Sequence, residues 1–213
     1  DALNGELMWD AKGPMAETAD SGEYERSINP DVVLTAACND AIVVAALQVP
    51  GIGESQRFRH IDVIRKIPAR RLFAFDRTKG GKLLWGHWDH ERDRWQGHDA
   101  AGPPLIYGDT VIVPSHDQTG AIAYYLSCYE LKTGQLLWRR LICSSQGEVN
   151  MFGNARKEFA AAPLTIDDGI IYGTTNLGVC FAADARTGDL RWITAYEVIP
   201  LPPTRLTGQQ ARE

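Results

Sequence analysis

The chain has 213 residues, of which 44% are hydrophobic and 23% charged, with a formal net charge of −5. That composition supports a buried core and excludes wholesale disorder, which needs low hydrophobicity and high net charge. The acidic balance gives no general footprint for nucleic acid, which wants a basic face. The longest apolar stretches, around Ile42 to Leu47 and Ala160 to Leu164, are far too short to cross a bilayer.

In chain order, Asp1 is not followed by the charged and then apolar segments of a secretory leader, as expected of a processed or excised chain. Residues 1–31 read as the end of a preceding module, with Gly5 and Trp9, and a long connecting loop. Residues 32–88 read as one module. A hairpin from Val32 to Ala37 turns at Asn39 and Asp40 into Ala41 to Val49, and a second hairpin ends through Gly81 at Trp85. Between them lies an inserted loop, 50–70, carrying Arg57, Arg59, Arg65, Lys66 and Arg70. Its Ile61, Ile64 and Ile67, three residues apart, favour a short helix over a strand extension. The basic side chains suit an acidic partner, and equally a solvated loop held down by its isoleucines.

Residues 89–143 repeat the plan, with Pro104 to Tyr107 turning at Gly108 and Asp109 into Val111 to Val113, then Gly134 and Trp138. Residues 144–196 repeat it again, with Pro163 to Ile166 turning at Asp167 to Gly169 into Ile170 to Tyr172, then Gly188 and Trp192. Residues 197–213 read as a connector towards a next module.

Trp9, Trp85, Trp138 and Trp192 are 76, 53 and 54 residues apart, and each has a glycine four positions earlier. The first interval matches the others once the insertion is removed. An acid precedes the glycine by four in three copies (Asp1, Glu130, Asp184) and by five at Asp76, as though Lys79 or Gly80 were an extra turn residue. Two hairpins per copy make a four-stranded antiparallel sheet about every 54 residues, the signature of β-propeller blades. The expected fold is therefore an all-β propeller segment: three four-stranded antiparallel blades plus part of a fourth, not closed within this chain. Trp9, Trp85, Trp138 and Trp192 on outermost strands are expected to dock on neighbouring blades, with Gly81, Gly134 and Gly188 in the turns.

The stretches Ala182-Ala183-Asp184-Ala185-Arg186-Thr187-Gly188-Asp189-Leu190-Arg191-Trp192 and Cys128-Tyr129-Glu130-Leu131-Lys132-Thr133-Gly134-Gln135-Leu136-Leu137-Trp138 resemble the pyrroloquinoline-quinone (PQQ)-type propeller repeat, A-x-D-x-x-T-G-x-x-x-W. The resemblance implies blades whose tryptophans dock between neighbours. It implies either a non-catalytic propeller, as in the outer-membrane protein assembly lipoproteins, or a quinoprotein dehydrogenase binding PQQ and calcium. It also implies the bacterial periplasm or cell envelope.

Chemistry-bearing residues cluster in two loops. His87, His90 and His98 with Asp89 or Asp93 offer imidazole and carboxylate ligands, but their spacing matches no standard metal motif, and a polar loop between blades is the better reading. Glu148, Asn150 and Asn154 are oxygen donors of the sort calcium favours. The adjacent-cysteine disulfide of many quinoprotein alcohol dehydrogenases has no counterpart, since Cys38, Cys128, Cys143 and Cys180 are far apart. Cys128 is expected opposite a residue near 139 rather than Cys143. The long segments, about 10–31, 50–70, 89–103 and 144–162, all fall on one face of the disc, which places a binding site there. The sequence is best read as a non-catalytic scaffold with no cofactor, whose partner is another protein or the remaining blades of its own polypeptide. The alternative is a fragment of a PQQ- and calcium-dependent dehydrogenase.

Overall fold

The computed structural model describes residues 7, 34–49, 56–58, 61–63, 69–87, 98–117, 122–145 and 161–196. Strands β1 (Ala37–Cys38) and β2 (Ile42–Val49) form the first hairpin, at whose corner Asn39 Oδ1 accepts from the backbone N–H of Ala41 at 3.0 Å and of Ile42 at 2.8 Å. A separate hairpin pairs β3 (Gln56–Phe58) with β4 (Ile61–Val63). Strands β5 (Ala69–Asp76) and β6 (Lys82–Gly86) then complete an antiparallel sheet ordered β1-β2-β5-β6. The insertion thus enters a strand at Ile61, not the expected helix. Ile61-Asp62-Val63 alternates with the period of two that suits a paired strand, and cross-strand pairing outweighs the three-residue isoleucine spacing.

The second sheet contains β7 (Asp99–Ala100), β8 (Leu105–Tyr107), β9 (Thr110–Asp117), β10 (Ile122–Glu130) and β11 (Leu136–Ser145). Both β7 and β8 pair with β9, so two short pieces share the innermost position. Gly102-Pro103-Pro104 divides them, because proline has no N–H for the ladder. The third sheet runs β12 (Thr165–Asp167), β13 (Ile170–Thr175), β14 (Val179–Asp184) and β15 (Leu190–Ala195) in simple order. These are three antiparallel blades. Among the described residues they close no ring, and the one helical element is a single 3-10 turn, Arg77–Lys79.

The core lies between the blades. On β9, Val111 and Val113 face the first blade, packing with Val44, Leu72, Ala74 and Trp85. Ile112, between them, joins Leu126, Cys128, Ile171 and Phe181 on the other side. Alternation along one strand therefore feeds two cores, which is why the middle blade carries a continuous apolar run where a half-solvated sheet would alternate.

Each blade ends in a turn of the same plan. In the second, the Glu130 carboxylate accepts from the Thr133 hydroxyl. In the third, the acid caps the backbone: Asp184 Oδ1 accepts from the backbone N–H of Arg186 at 2.9 Å and of Thr187 at 3.2 Å. The hydrogen bond from Arg191 is the largest influence holding the Asp184 carboxyl below its ordinary pKa. Asp76 plays the same part for Thr78 and Lys79, and Gly80 and Gly81 both take left-handed φ, +64° and +74°. The extra turn residue of this copy sits there. A register shift precedes the turn in every blade, at Ala74/Phe75, Cys128/Tyr129 and Ala182/Ala183. Opposite each tryptophan stands a small residue, Ala74, Cys128 or Ala182, each 0% exposed. Cys128 thus pairs with Trp138, and all four cysteines are free thiols.

Candidate functional site

Trp85 lies under the second blade, 3% exposed, and donates its indole N–H to the Leu131 carbonyl at 2.9 Å. Its ring is so close to Gly134 that a Cβ there would sit 2.5 Å from Cε3. Trp138 repeats the arrangement one blade on, half-buried, with Gly188 in the same relation at 2.6 Å. Both glycines have φ near +75°, so conformation and close approach each demand glycine. Trp192 has no such cover and is 48% exposed. Gly81 is buried, whereas Trp9 lies outside the described residues.

Above the Trp85 seat, on the edge from which the long connections leave, polar side chains of the first two blades meet. Arg70, Arg71, His87, His98, Ser115 and Tyr129 surround a space of about 10 Å³, with Leu72, Ala100 and Val113 behind them. That is room for about one water molecule. His87, 2% exposed, stacks on Trp85 at 5.2 Å and touches Tyr129 at 4.8 Å. Its Nε2 is 2.9 Å from the Gly134 carbonyl oxygen, which can only accept, so Nε2 carries a proton. His87 is thus a strut between blades. Arg71 forms an ion pair with Asp99 across the same junction. Ser115 and Ser127 hydroxyls lie 2.7 Å apart, and Arg139 donates to Ser127 at 2.9 Å and to the Tyr129 hydroxyl at 3.2 Å.

Two histidines here are held neutral. Burial, then the positive charge of Arg70, lowers the His116 pKa to about 4, against a smaller opposing pull from Asp117. Burial, then Arg139, lowers His98 to about 4, and its ring meets Tyr125 edge-on at 4.5 Å.

Of the sequence candidates, His87 and His98 come together at this junction, whereas His90, Glu148 and Asn150 lie outside the described residues. Among the described residues no three His, Cys, Asp or Glu side chains gather as a metal site. Arg59, Arg65 and Lys66 also lie outside, and Arg57 is described only as backbone in β3. Arg70 requires a correction. It belongs to β5, paired with Gln48, and is 4% exposed, so it is an interior residue of the blade junction and not part of an exposed docking loop. The strand begins one residue before it, and Leu72, Phe73 and Ala74 carry it into the core. Arg71, Ser115, His116, Ser127 and Arg139 carry no motif. Their signal is subtler: Ser115 and His116 follow the apolar run Val111 to Val113 on one strand, and Ser127 interrupts the apolar and aromatic run Ile122 to Tyr129 of β10.

Tandem antiparallel blades, the first two seated by an indole on the next blade's turn glycine, define a segment of a β-propeller of PQQ-like repeats. The family model described as outer membrane protein assembly factor BamB matches residues 1–194, and the chain belongs to that family. No curated protein matches it. Among solved structures it is similar to BamB from Moraxella catarrhalis, with a TM-score of 0.41 and 18% identity over 79% of this chain and 49% of that one. It is similar also to the quinohemoprotein alcohol dehydrogenase ADHIIG of Pseudomonas putida HK5, with a TM-score of 0.44 and 15% identity over 75% of this chain and 26% of that one. The computationally designed Ika4 protein matches with a TM-score of 0.47 and 15% identity over 91% of this chain and 81% of that one. The chain therefore spans about half of the first of these and a quarter of the second.

Proposed function

We propose that this chain is a non-catalytic interaction module of a larger bacterial envelope protein, and that it binds a protein partner through the face bearing the long connections. Family membership supports the setting, since the family is described by its role in outer-membrane protein assembly. No helix among the described residues is long and apolar enough to cross a membrane. The observation that carries the reading is how the blade junction is filled. Among the described residues, Arg70, Arg71, His87 and His98 fill the junction where polar groups of the first two blades converge, and the remaining space fits about one water. Recognition then belongs on the outer surface of that face, where the connections between β2 and β5, β6 and β7, and β11 and β12 emerge.

Photo-crosslinking in the bacterial envelope tests this. A crosslinkable residue at Arg57 or Arg65 should capture a defined protein, and one at Asp109 or Asp167, on the short-turn face, should not. Equal capture from both faces contradicts the assignment. Dye reduction with an alcohol or sugar after loading the full-length protein with PQQ and calcium would show an enzyme instead.

A further inference from the structure

Arg70 and Arg71, near the start of β5, are 4% and 5% exposed, and both border the small space between the first two blades. A buried guanidinium is costly unless negative charge or strong acceptors face it. The guanidiniums of Arg70, Arg71 and Arg139 meet the carboxylates of Asp99 and Asp117 here, among the described residues. Neither carboxylate lines the space, nor does any other described Asp or Glu. Its polar lining is Arg70, Arg71, His87, His98, Ser115 and Tyr129, a set rich in N–H and O–H donors. Hydrogen bonds turn the hydroxyls the same way. Arg139 donates to the Tyr129 hydroxyl at 3.2 Å, so the phenol oxygen accepts there and keeps its own proton for another acceptor. Arg139 also donates to Ser127 at 2.9 Å, whose proton can pass to Ser115, 2.7 Å away, leaving the Ser115 O–H for the space. Such a chain polarises each hydroxyl beyond the first. Burial first, and then the charge of Arg70 or Arg139, keeps His116 and His98 neutral. The positive field of the cluster is therefore felt by its own histidines.

We propose that this space is a site for a chloride-sized monovalent anion, which ties the first two blades together. Its volume, about 10 Å³, admits one water-sized occupant and shuts out carboxylate, sulfate and phosphate groups. A water molecule would add O–H donors of its own to a lining already rich in them, whereas a halide brings acceptor capacity and a negative charge. The hydrogen bonds a halide receives from guanidinium are charge-assisted, the strong kind. The pairing of Arg71 with Asp99 stays in place beside it. Arg70, Arg71 and His87 belong to the first blade, and His98, Ser115 and Tyr129 to the second, so the ion is held only where the two blades meet.

Urea unfolding of the 213-residue chain at constant ionic strength, in sodium chloride, sodium bromide or sodium gluconate, tests this. An ion bound only to the folded chain lowers the unfolding constant about tenfold at ten times its dissociation constant. Chloride and bromide should give that saturable fall, and gluconate, too large to enter, should give none. Tyr129→Phe removes one donor and keeps the ring, so the chloride midpoint should rise several-fold. Tyr107→Phe, on the short-turn face, should leave the midpoint unchanged. If Tyr129→Phe fails to fold, Ser115→Ala is measured in its place. Crystals grown in bromide should show its anomalous scattering between Arg70 and Ser115. Equal stabilisation by chloride and gluconate, a chloride effect that never saturates, or a variant midpoint equal to the parent's overturns the proposal. So does a water molecule in that place with no bromide signal.

Discussion

At the residue scale, Gly134 and Gly108 separate two demands that glycine can meet. Both have positive φ, but a Cβ at Gly108 meets nothing within 4 Å, whereas one at Gly134 meets Trp85 at 2.5 Å. Gly108→Ala should therefore lower stability by about 1 kcal/mol from backbone strain alone. Gly134→Ala adds overpacking and should cost about 2–4 kcal/mol. Urea denaturation of the two variants measures the difference. The indoles divide in the same way. Trp85→Ala, at a 3% exposed site with a buried hydrogen bond, should cost about 3–5 kcal/mol. Trp192→Ala, at a 48% exposed site, should cost less than about 1 kcal/mol. Tyr124 offers an opposite case. Burial pushes its pKa up, and its hydroxyl has no hydrogen-bond partner among the described residues. Tyr124→Phe should leave thermal stability unchanged or raise it by about 1 kcal/mol.

At the element scale, the first two blades are joined by an apolar seat beneath a polar plug, and the plug gives the junction a pH dependence. His98 and His116 have folded pKa values of about 4, below the ordinary value of 6.5. The unfolded chain therefore binds more protons between those values, and stability falls as pH drops from about 6.5 to about 4. The contribution is present in full above 6.5 and lost by 4. Buried His116 is expected to supply the larger share, on the order of a few kcal/mol, with half-buried His98 adding less through solvent screening. A denaturation series across that window, with His116→Gln alongside, checks it: the variant's slope should be visibly shallower. An equal slope in both would assign the acid loss to carboxylates elsewhere.

The same scale shows what the sequence could and could not reveal. The turns were legible because a cap, a left-handed glycine and an indole obey local rules at fixed offsets, as in Asp184-Ala185-Arg186-Thr187-Gly188. The hairpin β3–β4 was not, because the spacing of Ile61, Ile64 and Ile67 is a local signal and the pairing of Phe58 with Ile61 is a contact between strands. Arg70 reads as the end of the basic insertion, since nothing local announces a guanidinium buried at the blade junction. The convergence of Arg70, His87, His98 and Ser115 draws on four separate strand ends, and no spacing along the chain encodes it.

At the scale of the whole molecule, each junction joins one blade face to the sequence-neighbouring blade, so stability is approximately a sum over blades and junctions. The middle blade is covered on both sides and the third on one, which leaves the Trp192 face as the weakest margin. Everything rests on blades being locked indole to glycine. The most direct measurement is a double-mutant cycle on Trp85 and Gly134. Gly134→Val should be strongly destabilising in the parent chain and much less so once Trp85→Ala has removed the ring it strikes. A coupling of at least about 1 kcal/mol is expected, well beyond the ~0.5 kcal/mol within which independent sites add. Additive costs would show that the indole and the glycine do not form one seat, and would contradict the docking of the blades.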